Sequence, residues 1–234
     1  MRIVSWNCNG AFRRKFETLE QYKADLYIIQ ECENPALSID ANYKKWASNY
    51  LWVGSSKNKG LGVFTSDTNV LAKFDLGLNH TSGDLRWFIP FRFNDSLNMV
   101  AVWTQATPTG EYRYIGQFYL LLNENLSNLN DVIFIVDFNS NKIWDYKRRG
   151  RDHSECVKIL KSLNTHSLYH ELTRDEQGSE KTPTFYLQKN PDKKYHIDYA
   201  FVPGCFLGRS KLQIGLIDEW LTLSDHMPLF IDLD

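Results

Sequence analysis

The 234-residue sequence lacks the features that would place it in several special classes of protein. Its four cysteines are scattered and form no Cys-x-x-Cys pair, so neither a zinc knuckle nor a disulfide framework is expected. No apolar run approaches the roughly 18 residues of a membrane-spanning helix, and the one at the N-terminus is too short for a signal peptide. These absences predict a reduced, cytoplasmic protein without a membrane span.

A large excess of charge of either sign is also absent, because 27 basic residues face 28 acidic ones and the net charge is −1. A protein that wraps a polyanion without chemistry usually carries a basic excess. The charge balance therefore argues against a purely electrostatic nucleic-acid binder. It does not exclude an enzyme whose acidic residues hold a cation.

No linker, repeat or low-complexity segment interrupts the chain, so a single domain over residues 1–234, acting as a monomer, is expected. Short β-branched or aromatic runs predict eight strands, at residues 2–6, 26–30, 60–65, 87–93, 97–103, 132–136, 197–202 and 229–233. Apolar residues at helical spacing predict three helices, at residues 15–23, 113–126 and 152–163. The excess of strands predicts an α/β fold in which helices cover large mixed sheets.

Two polar residues in the first part of the chain follow predicted strands. Asn7 comes directly after the first strand and Glu31 after the second. The Asn-x-Asn-Gly sequence around Asn7 is also typical of a simple turn. Glu31 has two explanations: a solvated acid at the end of a strand, or a hard oxygen ligand for Mg²⁺ or Mn²⁺.

The segment VIFIVDFNSN carries a sharper pattern. Asp137 and Asn139 follow five consecutive apolar residues, and a spacing of two puts both side chains on one face of an extended chain. A carboxylate beside an amide can accept a proton from a water molecule while the amide holds that water in line. An Asx-turn that ends a buried strand is the structural alternative.

Two carboxylates and a histidine lie near the last two predicted strands. Asp198 falls in a segment that is expected to be half buried, and a buried carboxylate needs a partner. Asp225 and His226 come just before the final strand and supply one. A histidine oriented by a carboxylate can stay protonated and donate to a phosphate oxygen or a leaving group. A lone histidine is more often structural, but this combination favours a functional role.

Taken in order along the chain, these polar strand ends resemble the motifs of the endonuclease/exonuclease/phosphatase superfamily, which includes apurinic-site endonucleases and exonuclease III-like enzymes. The motifs span residues 3 to 231 and comprise Asn7, Glu31, Asp137-x-Asn139, Asp198 and Ser224-Asp225-His226. The resemblance implies a four-layer α/β/β/α sandwich with two mixed, mainly antiparallel sheets face to face. The site would lie at one edge of these sheets.

The resemblance also implies catalytic roles at the matching positions. Asp137 would activate or position the attacking water, with help from Asn139. His226 would stabilise the charge that develops on the phosphoryl group, and Asp198 would orient it. Asn7 would support this centre.

A divalent metal ion, Mg²⁺ or Mn²⁺, is the cofactor that the resemblance implies. Glu31 would be its principal ligand, with Asn7 close by. Asp225 would be a further site residue and a candidate second ligand.

Two positions depart from the family pattern. The family usually has glycine before the aspartate of its GD-x-N motif, and this chain has Val136 there. Many members carry histidine or tyrosine at the end of the strand before the middle helix, where this chain places Trp103, Thr104 or Gln105. Since the deoxyribonuclease and phosphatase branches use histidine there, its absence favours the apurinic and exonuclease side.

Basic and aromatic residues near these motifs predict a nucleic-acid partner. The segment NKIWDYKRRGRD mixes cations, which suit a phosphate backbone, with rings, which suit stacked bases. A solvated surface loop is the alternative explanation. The candidate substrate-binding residues are Trp103, Arg113, Tyr114, Lys147, Arg148, Arg149 and Tyr195.

Three functions from different classes follow from these patterns. The first is a metal-dependent nuclease that acts on DNA or RNA. The second is a phosphatase or phosphodiesterase for a small phosphorylated molecule or a lipid headgroup, with which the missing basic excess is compatible. The third is a binding module that keeps the fold without catalysis, and the buried charges argue against it because binding alone would not require them.

Overall fold

Two six-stranded sheets form the centre of the molecule in a computed structural model that describes residues 1–76, 85–106, 112–147 and 150–234. The strands are β1 (Arg2–Asn7), β2 (Leu26–Cys32), β3 (Asn49–Ser56), β4 (Lys59–Thr65), β5 (Leu71–Lys73), β6 (Phe88–Phe93), β7 (Leu97–Trp103), β8 (Ile133–Asp137), β9 (Thr165–Ser167), β10 (Phe185–Tyr186), β11 (Lys194–Tyr195), β12 (Asp198–Pro203), β13 (Lys211–Ile214) and β14 (Leu229–Asp232). The helices are α1 (Phe16–Glu20), α2 (Ala41–Trp46), α3 (Ile115–Asn125), α4 (His153–Ser162), α5 (Leu168–Thr173) and α6 (Ile217–Trp220).

The first sheet has the strand order β13-β14-β1-β2-β4-β3, and the second has the order β5-β6-β7-β8-β12-β9. The pairs β1–β2 and β7–β8 are parallel, and the other pairs within these sheets are antiparallel. A short hairpin of β10 and β11 stands apart from both sheets. The sheets are therefore mixed and mainly antiparallel, as the sequence predicts.

Apolar side chains from both sheets form the central core, because every second residue of a strand points toward the opposite sheet. The outer face of the first sheet packs against aromatic residues of α1, α2 and α6, including Phe16, Tyr43 and Trp220. The outer face of the second sheet packs against α3 and α4 through residues such as Phe118 and Leu160. These layers make the four-layer α/β sandwich that the sequence predicts.

All eight predicted strands and all three predicted helices are present, with ends that differ by up to three residues. The largest difference is at α1, which ends at Glu20 because Lys23 takes a left-handed conformation with φ of +47°. The edge strand β3 was not predicted, since its half-exposed residues show no clear alternation. The six-residue α2 is too short for a periodic pattern, and Asp40 caps it by accepting the Tyr43 N–H at 3.0 Å.

The strand directions bring polar residues to one edge of the central core. Because β1 and β2 are parallel, Asn7 pairs with Gln30 at their carboxyl ends. Likewise Trp103 pairs with Asp137 at the ends of β7 and β8. Asp198 lies opposite Asp137 because β12 runs antiparallel to β8 and begins where β8 ends. No helix in the described ranges combines the length and the apolar character needed to cross a membrane.

Candidate active site

Asp137 is fully buried at the end of β8 and joins the two sheets. Its Oδ2 accepts a hydrogen bond from Asn7 Nδ2 at 2.9 Å. Its Oδ1 accepts the Asn139 N–H at 3.0 Å, and Asn139 has a left-handed φ of +45° while its Nδ2 donates to Thr104 O at 3.0 Å. The Asx-turn and the polar site are therefore not alternatives, because the turn orients the Asp137 carboxylate toward Asn7.

Asp198 and His226 form a buried pair next to Asp137. His226 Nδ1 lies 3.0 Å from Asp198 Oδ2 and 3.2 Å from Oδ1. One side-chain nitrogen or oxygen from each of the three residues lies within 4.8 Å of the others. Residues far apart in the sequence thus meet where β8, β12 and β14 approach each other.

Hydroxyl groups fix the backbone on both sides of this pair. Thr184 Oγ1 accepts hydrogen bonds from two consecutive backbone N–H groups, the second that of Asp198, at 3.0 and 3.1 Å. Ser224 Oγ accepts the His226 N–H at 3.0 Å and donates to Asn7 O at 2.7 Å. These contacts limit the movement of the Asp198 and His226 backbones.

Burial and neighbouring charges shift the pKa values of this cluster. Burial raises the pKa of Asp137, and repulsion from Asp198 adds to the rise, giving a value of about 7 despite the opposing effect of His226. Burial by itself would lower the pKa of His226, but attraction to Asp198 and Asp137 outweighs it and raises the pKa to about 9. Near neutral pH the histidine is a cation, and the Asp137 carboxyl is close to its titration point, as suits a proton acceptor.

The same three residues also satisfy the distances of a metal site. His226 Nδ1, however, faces the Asp198 carboxylate, and the raised pKa of the imidazole keeps a proton on the ring. A metal-bound histidine must be neutral, with a lone pair directed at the ion. In the metal-free protein the imidazole is therefore protonated on both nitrogens near neutral pH, and the cluster is set up for proton transfer.

Glu31 occupies a different position that does fit a hard cation. It lies in a β-bulge with φ of +62°, where β2 carries one residue more than β4. Its Oε2 lies 3.0 Å from the Lys59 ammonium, so a cation already contacts this carboxylate. Carboxylate oxygen is the donor that Mg²⁺ and Mn²⁺ prefer. Asn7 pairs with the residue before Glu31, and Asp225 is half-buried next to the site histidine.

A cavity of about 260 Å³ opens beside Asn139. Its lining residues are Tyr114, Ile115, Asn139, Ser140, Trp144, Asp145 and Asp152. The ring centroids of Trp144 and Tyr195 are 5.2 Å apart, those of Tyr195 and Phe185 are 6.3 Å apart, and those of Phe185 and His226 are 4.5 Å apart. A row of rings thus runs from the cavity to the site histidine.

The candidate substrate-binding residues occupy different environments. Trp103 is buried beside Asp137, and its Nε1 has no hydrogen-bond partner among the described residues. Tyr114 lines the cavity, and Tyr195 is half-buried in the row of rings. Arg113 is exposed just before α3.

The basic segment after the Asp137 motif is described only in part. Lys147 ends a 3-10 helix that contains Trp144, and the side chain of Lys147 lies outside the description. Arg148 and Arg149 lie outside the described residues altogether. The predicted basic contribution of this segment to substrate binding therefore stays a prediction.

Comparison with known proteins identifies the fold. No protein-family model and no curated protein sequence matches the chain. Among solved structures, it is similar to a 3'-5' exonuclease (NExo) from Neisseria meningitidis, with a TM-score of 0.74 and 15% identity over 100% of both chains. The chain therefore shares the fold of this exonuclease over its whole length.

Two further solved structures agree with this result. The 3' phosphatase NExo from Neisseria, bound to a product DNA hairpin, has a TM-score of 0.70 and 14% identity over 100% of this chain and 99% of that one. An AP endonuclease from Archaeoglobus fulgidus has a TM-score of 0.72 and 17% identity over 100% of this chain and 99% of that one.

Three residues near the site were not found from the sequence. Thr184 supports Asp198, the Phe185 ring contacts His226, and Lys59 contacts Glu31. Thr184 precedes, and Phe185 begins, a short hairpin that no periodic pattern indicated. Lys59 starts a strand after a lysine-rich turn, where a solvated cation is the ordinary expectation.

Proposed function

We propose that the protein is a divalent-metal-dependent phosphodiester hydrolase, a nuclease that acts on DNA. The observation that carries this proposal is the arrangement of Asn7, Asp137, Asp198 and His226, in which a buried proton acceptor lies beside a buried cationic histidine. Hydrolysis of a phosphodiester needs both groups, since water must lose a proton while negative charge increases on the phosphoryl oxygens.

Each residue takes one role in this reaction. Asp137 accepts a proton from the water molecule that attacks phosphorus, and Asn7 and Asn139 hold the Asp137 carboxylate in place. The water oxygen forms a bond to phosphorus as the bond to the leaving oxygen breaks, and the leaving oxygen takes up a proton from water. His226 donates a hydrogen bond to the charged phosphoryl group, and Asp198 holds the imidazole in its protonated form and orientation.

Glu31 and Asp225, together with Asn7, are the residues that we propose would hold the divalent metal. Bound there, the ion would supply positive charge to the non-bridging phosphate oxygens. Mg²⁺ and Mn²⁺ fit this oxygen-rich donor set.

The surroundings of the centre support a nucleotide polymer as substrate. The aromatic rings of Trp144, Tyr195 and Phe185 offer surfaces on which bases can stack. Each base stacked on a ring contributes about 1–3 kcal/mol to the binding of single-stranded nucleic acid. Two proteins of the same fold are an exonuclease and an AP endonuclease, and a third structure holds a DNA hairpin product. Trp103, Arg113, Tyr114, Tyr195 and the segment from Lys147 to Arg149 are our candidates for contact with the strand.

An activity panel tests this proposal. The purified full chain is incubated with double-stranded, nicked, abasic, 3'-phosphorylated and single-stranded DNA, with RNA, and with phosphorylated inositols and lipids, each with Mg²⁺ or with a chelator. We expect metal-dependent cleavage of DNA by the wild type and its loss in Asp137→Asn. Asp131→Asn, the same change at an exposed position before the same strand, is the matched control and should retain activity.

The outcomes separate the three candidate functions. Metal-dependent hydrolysis of inositol or lipid phosphates without any cleavage of nucleic acid would replace the nuclease with the small-molecule phosphatase. No metal-dependent activity across the whole panel would favour the binding module. Cleavage that Asp137→Asn does not reduce would contradict the assigned roles.

A further inference from the structure

Lys59 is a basic residue within the proposed metal position that the mechanism does not use. Its ammonium lies 3.0 Å from Glu31 Oε2 and 5.6 Å from the centre of the Trp103 ring. The Lys59 side chain is 52% exposed and that of Glu31 is 19% exposed. One ammonium thus bridges a carboxylate of the first sheet and a ring of the second.

The backbone of the β3–β4 hairpin places Lys59 there. Lys59 is two residues before Leu61, which belongs to the central core, so both side chains point toward the second sheet. Glu31 is the extra residue of the bulge opposite this strand end. Gly60 allows the Trp52 ring to pack on the strand, because an added Cβ would overlap that ring.

The contact between the Lys59 ammonium and Glu31 is weak enough for the ammonium to leave. An ion pair with a half-exposed lysine is worth only about 0.2–1 kcal/mol, since water screens the attraction. A divalent ion carries twice the charge and binds carboxylate oxygen more strongly than an ammonium does. The face of Trp103 offers a released ammonium a second contact through the cation–π interaction.

We propose that Lys59 is a displaceable counter-ion of the metal position, which neutralises Glu31 in the metal-free protein and moves onto the Trp103 ring when the divalent ion binds. The inference rests on the proposed function, because it takes Glu31 as the metal ligand. It adds that the chain carries its own competitor for that ligand, so that metal affinity depends on a residue that never contacts the metal.

Removal of the ammonium should therefore tighten metal binding. Mn²⁺ binding to the full chain is measured without substrate, by electron paramagnetic resonance of the free ion at low ionic strength. We expect Lys59→Met to lower the Kd for Mn²⁺ by about 2- to 5-fold, because the ion no longer competes with an ammonium whose contact is worth up to about 1 kcal/mol. Lys59→Arg keeps the charge and should stay close to the wild type.

Two control variants make the result specific. Lys57→Met removes an exposed lysine from the same hairpin and measures the effect of net charge alone, which should be less than about twofold. Glu31→Gln tests the ligand itself and should weaken Mn²⁺ binding by more than about 10-fold. Thermal unfolding of each variant confirms that the hairpin is intact.

Each combination of results has one meaning. Tighter binding in Lys59→Met than in Lys57→Met, together with loss of binding in Glu31→Gln, supports the proposal. Equal or weaker Mn²⁺ binding in Lys59→Met overturns the proposal for Lys59. If Glu31→Gln loses Mn²⁺ binding in the same experiment, Glu31 remains the metal ligand of the proposed function. If Glu31→Gln binds Mn²⁺ as the wild type does, the metal assignment fails and the role of Lys59 fails with it.

Discussion

Two buried histidines, His226 and His196, lie close to the start of β12 but differ in their electrostatic environment. His226 contacts the Asp198 carboxylate at 3.0 Å, and its pKa is raised to about 9. His196 Nδ1 faces the Thr182 carbonyl at 2.7 Å, and burial lowers its pKa to about 4. The neighbouring carboxylate rather than burial decides which histidine is a cation at neutral pH.

The two histidines also belong to different networks. His196 packs against His170, whose Nε2 lies 3.2 Å from Glu180 Oε1. Glu180 also accepts hydrogen bonds from Asn141 Nδ2 and from the Gly178 N–H, each at 3.0 Å. This second network holds the segment that follows Asn139, so we assign it a structural role and the His226 network a chemical one.

Substitution of each histidine by asparagine gives the largest expected difference between the networks. His226→Asn should lower kcat/KM for DNA cleavage by about 10²-fold or more, because the phosphoryl group loses its cationic donor. His196→Asn should retain turnover and lose stability instead. Steady-state kinetics of both variants with Mg²⁺, beside urea unfolding curves, measures the two effects. Equal losses of activity would remove the functional distinction.

The pH profile of the wild type gives a second test of the His226 network. The proposed mechanism needs Asp137 deprotonated and His226 protonated, so kcat/KM should rise with pH through about 7 and fall through about 9. Outside this window the rate should change by about tenfold per pH unit. His226→Asn should lose the alkaline decrease and keep the acidic one. Because the groups interact, the two apparent values belong to the cluster as a whole.

Loss of the Glu180 charge should affect the structural network. The pKa of Glu180 is lowered to about 2 because hydrogen bonds from His170, Gly178 and Asn141 together outweigh the opposing effect of burial. We expect Glu180→Gln to reduce the free energy of unfolding at pH 7 by about 2–3 kcal/mol, since these bonds lose their charged acceptor. Urea denaturation measures it, and Glu176→Gln, four residues earlier, is the matched control. An unchanged midpoint would show that the network does not stabilise the fold.

The free energy of unfolding should depend on pH in opposite directions for the two histidines. The lowered pKa of His196 means that below pH 6.5 the unfolded chain takes up a proton that the folded one refuses. The contribution of His196 to stability is therefore complete above pH 6.5 and decreases by about 3 kcal/mol as the pH falls to about 4. His226 has the opposite sign, because its raised pKa stabilises the fold below pH 6.5 and this contribution is lost as the pH rises through about 9. Unfolding curves of the wild type and of the two asparagine variants between pH 4 and 9 measure both slopes, because each variant lacks the slope of the histidine that it has lost.

The sequence predicted the His226 network much better than the His196 network for a physical reason. Asn7, Asp137 and Asp198 each adjoin an apolar strand, so the positions of the strand ends indicate that they meet. His196 and Glu180 belong to a region without regular periodicity, and their contacts depend on how irregular segments pack. Long apolar strands can be predicted locally, whereas such packing depends on the whole fold.

The outcome at Glu31 and Lys59 follows the same distinction. The family resemblance implied that Glu31 is a metal ligand, and its position after an apolar strand left a solvated acid as the alternative, but the bulge that turns it toward Lys59 has no local signal. The edge strand β3, which brings Lys59 into place through its hairpin with β4, was also not predicted. Glu31 could thus be predicted from the sequence as a candidate site residue. The Lys59 ammonium that neutralises it could not.

Thr184 connects the two networks and gives the smallest expected effect. Its Oγ1 binds the N–H of Asp198, and its backbone follows the segment from Thr182, whose carbonyl binds His196. Thr184→Val keeps the shape but leaves two buried N–H groups without their acceptor, so stability should decrease by about 1–2 kcal/mol. Activity should decrease by less than about tenfold, because Asp198 keeps its carboxylate and moves only slightly.

The decisive readout for Thr184→Val is the alkaline limb of the pH–rate profile. If Thr184 positions Asp198 against His226, a looser pair should move that limb below pH 9, and Thr184→Ser, which restores the hydroxyl, should return it to the wild-type value. Thr182→Val changes an exposed neighbour whose side chain does not bind Asp198 and should leave the limb in place. A loss of stability without any movement of the limb would confine Thr184 to the structural network.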